Sequence, residues 1–305
     1  MGNYFANLTA ETACAALRGA GVICSPEDVR IARRDERWAA ELPDHRIAWF
    51  AGSEEGGRRL AVEHRVLRLL AERCTFAAPR LIWTSDSGFD LRQMVPGRCD
   101  PWGMFEQCRA DSALAQSIGR SIGAILAQQH TRIGPADVAG WLPRQVTWPQ
   151  AGDWIRARLP LVVDDADLVH TAECIMERYE AVTVDARDEV LLHGDVGLHN
   201  LAFDPETGAV NGMFDYDGAA WADRHHDFRY LLFDVGREDM LNAALAVYEP
   251  AVGRAIDRDR LRLYNAACAV SFLAFRSGAL PDQESCGRTL GDDLRWVRTA
   301  LSALA

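Results

Sequence analysis

The stretch His193-Gly194-Asp195-Val196-Gly197-Leu198-His199-Asn200, followed by Phe214-Asp215-Tyr216-Asp217, decides how this chain is read. Each polar group comes after a short apolar run, Val190 to Leu192 and then Val210 to Phe214, so a rigid strand delivers it to a loop. Asn200 lies five residues after Asp195, and Asp215 fifteen further on. A fixed carboxylate can orient a hydroxyl and take its proton. An amide oxygen and a second carboxylate are the hard donors that Mg2+ prefers. Phosphoryl transfer from a nucleotide requires those three groups. Asp195 is the candidate general base, Asn200 and Asp215 are the candidate Mg2+ ligands, and Asp217 and Asp223 are further acidic residues that order the loop. A lone His-Gly-Asp would read as a polar turn between strands; three groups at this spacing weigh against that.

Working outward, the chain divides at Met94 to Gly97. Residues 5 to 20 have the spacing of a short Ala-rich helix. Three alternating segments follow, Val29 to Arg33, Arg37 to Glu41 and Arg46 to Ala51, separated by Arg34-Asp35-Glu36 and Pro43-Asp44 as in an antiparallel meander. The run Gly52 to Gly57 reads as a flexible loop into a helix over 58–73, before two more strands, 80–84 and 88–94. Beyond Gly97 the periodicity is helical. Asp111 or Ser112 caps a helix with Leu114, Ile118, Ile122 and Ile125 on one face, and helices are expected over 168–179, 241–248 and 261–275. The fold class is α+β, with an N-terminal lobe over 1–95 and a mainly helical C-terminal lobe over 96–305 that carries the catalytic loop and the acceptor site.

Composition narrows the chemistry. The chain has 305 residues, 49% hydrophobic and 25% charged, with a net charge of -11. That balance belongs to a folded protein and disfavours a nucleic-acid backbone as partner. All 33 basic residues are arginine, so P-loop, Schiff-base and pyridoxal chemistry are excluded for want of a lysine. The eight cysteines, Cys286 among them, form no CxxC pair and read as reduced thiols, and the adjacent His225 and His226 point apart, which disfavours zinc. No apolar run reaches the ~18 residues of a membrane span, and the N-terminus lacks a basic-then-apolar leader. A cytoplasmic protein, monomeric or homodimeric, is expected.

HGDVGLHN with its downstream FDYD resembles the HGDxxxxN and following Asp of the aminoglycoside phosphotransferase and choline kinase-like superfamily. Asp223-Arg-His-His-Asp227-Phe resembles the D-x-x-x-D-(L/F/I) that follows in these enzymes, and the likeness extends through Leu126-Ala-Gln-Gln-His130 over roughly residues 28 to 280. Protein kinases share the order of the three groups but place Arg where Gly194 stands. They also carry an Ala-Pro-Glu segment that this chain lacks. The resemblance implies a bilobal protein-kinase-like fold, with a small mixed β-sheet lobe, that binds ATP or GTP with Mg2+ and phosphorylates a hydroxyl of a small molecule. It implies that Ala48 roofs the adenine and that Gln93, Met94 and Val95, at the joint between the lobes, hold the nucleotide.

The likeness breaks at one residue. Such enzymes pair a lysine on the third strand with a glutamate on the following helix. Glu63 is present, on a face shared with Leu60, Leu67 and Leu70, where an ionised carboxylate needs a partner. The lysine is absent; its place falls at Phe50 or Trp49. The His45 to Phe50 stretch resembles that of viomycin and capreomycin phosphotransferases, which implies a precedent for its loss. Either an arginine (Arg30, Arg33, Arg34 or Arg46) or added Mg2+ substitutes, or the chain is a non-catalytic ligand-binding pseudokinase. Acidic residues (Asp164, Asp165, Asp167, Glu173, Glu177, Asp282, Glu284, Asp292, Asp293) are expected to line an acceptor cleft for a cationic molecule such as an aminoglycoside, a basic peptide antibiotic or a choline-like amine. Trp141, Trp148, Trp154 and Trp221 are candidates to stack on it.

Overall fold

The computed structural model describes residues 4–85, 88–233, 236–280, 283–284 and 288–304; Asp282 and Cys286 lie outside them. The chain opens with α1 (Ala10–Gly19), whose first turn is closed by a reciprocal Thr9–Thr12 capping box. Strands β1 (Arg30–Arg34), β2 (Arg37–Leu42) and β3 (Arg46–Ala51) form the expected antiparallel meander. After α2 (Glu54–Arg73) come β4 (Arg80–Thr84) and β5 (Phe89–Gln93), and β5 inserts between β3 and β4 to give the order β1-β2-β3-β5-β4. Gly52 to Gly57 is not a free loop. Ser53 accepts from the Gly56 amide, so α2 starts one turn early, and any side chain at Gly56 would strike the Glu36 carbonyl.

Alternation gives the sheet two faces. Ala40, Leu42, Ala48, Phe50, Phe89 and Leu91 pack against Ala13, Cys14 and Leu17 of α1. Arg37, Ala39, Ile47, Trp49 and Arg92 occupy the opposite face, toward α2 and the cleft.

The larger lobe contains α3 (Pro101–Ala110), α4 (Ser112–Arg132), α5 (Pro135–Val138), α6 (Gly152–Arg158) and α7 (Ala166–Glu180). Two small ribbons follow: β6 (Glu189–Leu192) pairs with β9 (Ala220–Asp223), and β7 (Leu201–Phe203) with β8 (Val210–Met213). Helices α8 (His225–Phe233), α9 (Glu238–Val252), α10 (Arg258–Phe275) and α11 (Leu290–Ser302) complete it. Its core forms where α4 meets α9. Gly119 and Gly123 let the Met240 and Ala244 carbonyls touch the α4 backbone, and Ile118, Ile122, Leu126, Leu241, Leu245 and Tyr248 fill the flanks. Where the chain crosses between lobes, the Arg98 amide donates to the Phe203 carbonyl at 2.8 Å, which anchors the crossing to the end of β7. Among the described residues no helix is long and apolar enough to cross a membrane.

Candidate active site

Strand β6 ends at Leu192, and the next two backbone amides, His193 and Gly194, donate to the two oxygens of Asp227 on α8 at 3.0 and 2.8 Å. Burial alone would push the Asp227 carboxyl up, but the bond from His130 of α4 (Nε2, 3.1 Å) and these donors hold it below the ordinary carboxylate range. The His193 ring completes the brace. Its Nε2–H donates to the Phe214 carbonyl at 2.9 Å and its Nδ1 accepts from the Asp195 amide at 3.2 Å, tying the two functional loops together. Gly194 has φ +87°, and a Cβ there would lie 2.4 Å from the Gly218 carbonyl oxygen, so no side chain fits at this position.

Asp195 emerges at the cleft with a partly exposed side chain. Its Oδ2 accepts from Asn200 Nδ2 at 3.0 Å and lies 3.1 Å from His199 Nε2. Burial would raise this carboxyl, yet the His199 contact and a bond from Tyr230 hold it well below the usual range, so it is ionised at neutral pH. Asn200 spends its amide N–H groups on the Asp195 carboxylate and carbonyl (2.8 Å), which leaves its Oδ1 as the acceptor still open to a cation. Asp215 has a left-handed backbone (φ 68°, ψ 66°) and lines the cleft beside Asn200. Its side chain is open to the cleft, yet partial desolvation by the surrounding walls first, then the Glu63 charge, push its carboxyl up against the pull of Arg37, and it makes no ion pair among the described residues. A carboxylate without an ion pair among the described residues, beside an amide oxygen, fits Mg2+, whose binding would neutralise phosphate oxygens.

These groups open into an inter-lobe cleft of about 1220 Å³, roomy enough for a nucleotide and a small acceptor together. Met94 and Val95 line it at the crossing. Gln93 and Ala48 do not. The Gln93 side chain donates instead to the Asp44 and His45 carbonyls, at 3.1 and 3.0 Å, and secures the β2–β3 turn. Ala48, fully buried, faces α1; with Phe50 on that same face, the cleft-facing residues of β3 are Ile47 and Trp49. The parity was right and the face wrong, because only the docking of α1 decides which side of the sheet is covered.

Glu63 is buried and doubly paired. Arg92 grips it with two nitrogens, Nη1 to Oε1 at 2.7 Å and Nη2 to Oε2 at 2.9 Å, and Arg37 Nη1 adds a bond at 3.0 Å. Burial would raise the carboxyl, but these charges hold it below its ordinary value. An arginine does replace the lysine beside Glu63, but not one of those expected. Arg30 is exposed and Arg46 sits 3.6 Å from Asp44, while Arg33, over Trp38, and Arg34 are exposed residues that line the cleft. Arg37 and Arg92 take the role because β2 and β5 place them opposite Ala51 and Ile47, on the side covered by α2. A readable signal lies in β5: Asp90 and Arg92, two apart and alternating with Phe89 and Leu91, mark a charged face that needs burial partners.

The expected acidic acceptor wall is not there. Of those carboxylates, the described ones lie away from the cleft. Asp165 pairs with Arg298, Asp292 with Arg295, and buried Asp293 with Arg276 and Arg288. Of the four tryptophans expected to stack on an acceptor, only Trp148 lines the cleft; Trp141 and Trp154 stack on Arg65 and Arg158, and Trp221 is buried in β9. His199 and Tyr230, which contact Asp195, line the cleft, as do Thr147 and Trp148.

Comparison with known proteins bears on the family and the fold. The model of the phosphotransferase enzyme family known as APH matches residues 29–264. The chain belongs to that family. The streptomycin 3''-kinase of Streptomyces griseus is 37% identical over 84 residues, a match spanning 26% of this chain and 31% of that kinase. The GDP complex of aminoglycoside 2'-phosphotransferase-IIIa superposes with a TM-score of 0.69 at 16% identity, over 96% of this chain and 98% of that one. The macrolide 2'-phosphotransferase of Brachybacterium faecium gives 0.63 at 18% identity, over 96% and 98%. At these identities the structures show a shared bilobal fold. As an APH phosphotransferase, the chain carries Asp195, Asn200 and Asp215 on the loops between its lobes.

Proposed function

We infer that this APH phosphotransferase transfers the γ-phosphoryl group of ATP or GTP to a hydroxyl of a small antibiotic-type acceptor. The carrying observation is Asp195, kept ionised at the cleft mouth and bonded through Asn200 to the site that suits Mg2+. The lobe over 1–95 holds the nucleotide, with its base against Ile47, Met94 and Val95. The lobe over 96–305 holds the acceptor between Trp148 and Tyr230. Asp195 accepts the hydroxyl proton as that oxygen bonds to the γ-phosphorus and the nucleoside diphosphate leaves. The names of the relatives point to aminoglycosides and macrolides as acceptor classes. The reaction belongs in the cytoplasm, where the nucleotides are.

The pseudokinase reading loses ground because Glu63, unpartnered by lysine, is still fully neutralised by arginine. The test is acceptor-dependent release of ADP or GDP across aminoglycosides, tuberactinomycins, macrolides and small amino alcohols. Turnover with one class is expected. Silence with every class, together with no nucleotide binding by calorimetry, would favour the pseudokinase.

A further inference from the structure

Two arginines of the small lobe converge on one carboxylate of the large lobe. Arg59, one helical turn before Glu63 on α2, places Nε 3.0 Å from Asp217 Oδ1, and its Nη2 pairs with Oδ2. Arg37 Nη2 reaches the same Oδ2 at 2.9 Å. Asp217 sits two residues beyond Asp215, so the contact spans the cleft next to the metal-type site. Burial, and then the Arg37 charge, lowers Arg59 below its ordinary value, as expected for two guanidinium groups crowded around one anion.

The three arginines that pair with Glu63 or Asp217 are not equivalent. Arg92 is saturated: Glu63 takes two of its nitrogens, and Asp90 is bound by Nε and Nη2 at 2.9 and 2.8 Å. Arg37 is only 4% exposed, yet its buried Nε has no hydrogen-bond partner among the described residues. A buried donor left open beside a cleft is costly unless something fills it. Arg59 commits its fork to Asp217 alone at close range, with Asp35 3.9 Å away. A forked contact of that geometry is one that a phosphate oxygen pair can take over.

Resting on the kinase reading above, we propose that Arg59 and Arg37 are this enzyme's phosphate-binding cations in place of the lysine, and that Asp217 occupies them across the cleft until the nucleotide triphosphate displaces it. The lobes are thereby latched in the free enzyme, and the price of entry for the triphosphate is the broken Arg59–Asp217 pair. A nucleoside, which has no phosphates, neither needs the arginines nor opens the latch.

The test is calorimetric affinity for ATP and GTP, and for adenosine and guanosine, measured with Mg2+ and again in EDTA. Arg59→Gln should weaken triphosphate binding by about tenfold and leave nucleoside binding within about twofold, a loss typical of one charge-assisted contact. Asp217→Asn should tighten triphosphate binding by roughly three- to tenfold, in EDTA as well, because the competing anion is gone. Glu41→Gln, which removes a cleft carboxylate that is not paired with these arginines, separates the latch from general charge and should change affinity by less than about twofold. Arg59 and Asp217 are both partly exposed, so these variants are suited to refolding checks that buried Arg37 would fail. Weaker triphosphate binding in Asp217→Asn would make Asp217 a brace for the arginines and overturn the latch, as would equal tightening by Glu41→Gln. Unchanged binding in Arg59→Gln, with wild type still preferring triphosphate to nucleoside, would sink this proposal alone. Wild-type protein that binds no nucleotide would sink the kinase reading with it.

Discussion

Asp195 shows how much chemistry one position can hold. Its carboxylate is kept ionised by His199 and Tyr230 and aimed by Asn200, so its charge and geometry are set by neighbours within five residues and by one helix. Asp195→Asn keeps the shape and removes the base. kcat should fall by ~10² to 10⁴ while nucleotide affinity stays nearly constant. Pre-steady-state phosphorylation against a fixed acceptor measures this, and retention of most activity would remove Asp195 from the role of base. Asp215 carries a different expectation. Partial desolvation in the cleft and the Glu63 charge raise its carboxyl, which a cation would offset. Asp215→Ala should abolish the Mg2+ dependence of nucleotide affinity, and a variant whose affinity still responds fully to Mg2+ would show that Asp215 is no ligand.

At the scale of elements, the helices were easier to read than the strands. The leucine face of α2 and the isoleucine face of α4 are visible as three- and four-residue steps. What those steps do not show is how closely α4 approaches α9. Gly119 and Gly123 look like weak points in a helix, but they are the seam through which two backbones touch. Gly123→Leu would drive a side chain into the Ala244 carbonyl and separate the helices. A loss of about 1–3 kcal/mol in urea unfolding is expected, typical of overpacking. A neutral result would mean that the seam can open without cost. The strands hid more. The β5 position between β3 and β4, and the ribbons β7–β8 and β6–β9, come from pairings with no local signal, so the face of β3 that meets the cleft was assigned wrongly at Ala48.

For the whole molecule, buried carboxylates held low by cations set the response to acid. Glu63, Asp90 and Asp227 are each pushed up by burial but pulled below their ordinary values by Arg92, Arg37, His64 or His130. A carboxyl whose folded value is depressed stabilises the fold above its unfolded value of about 4 and loses that contribution as pH falls through the folded value. Asp293, raised by burial, acts in the opposite sense. The urea midpoint should therefore hold between pH 7 and 5 and drop below about pH 4. Arg92→Leu strips Glu63 and Asp90 of their shared partner and should cost about 3–5 kcal/mol at pH 7, with a shallower acid step. An acid step as steep as in wild type would show that Arg92 does not set it.

The sequence by itself determined the lobe order, the three functional groups and their spacing, and the need for a cation beside Glu63, because each depends on residue type and short-range periodicity. Only the tertiary structure decided which arginines answer that need. Arg37 and Arg92 lie 26 and 29 residues from Glu63, and they meet it through strand pairings and the placement of α2. The same holds for Asp217, bound by Arg59 from 158 residues away. A strand's alternation states which residues share a face; which face is covered depends on the whole chain's packing.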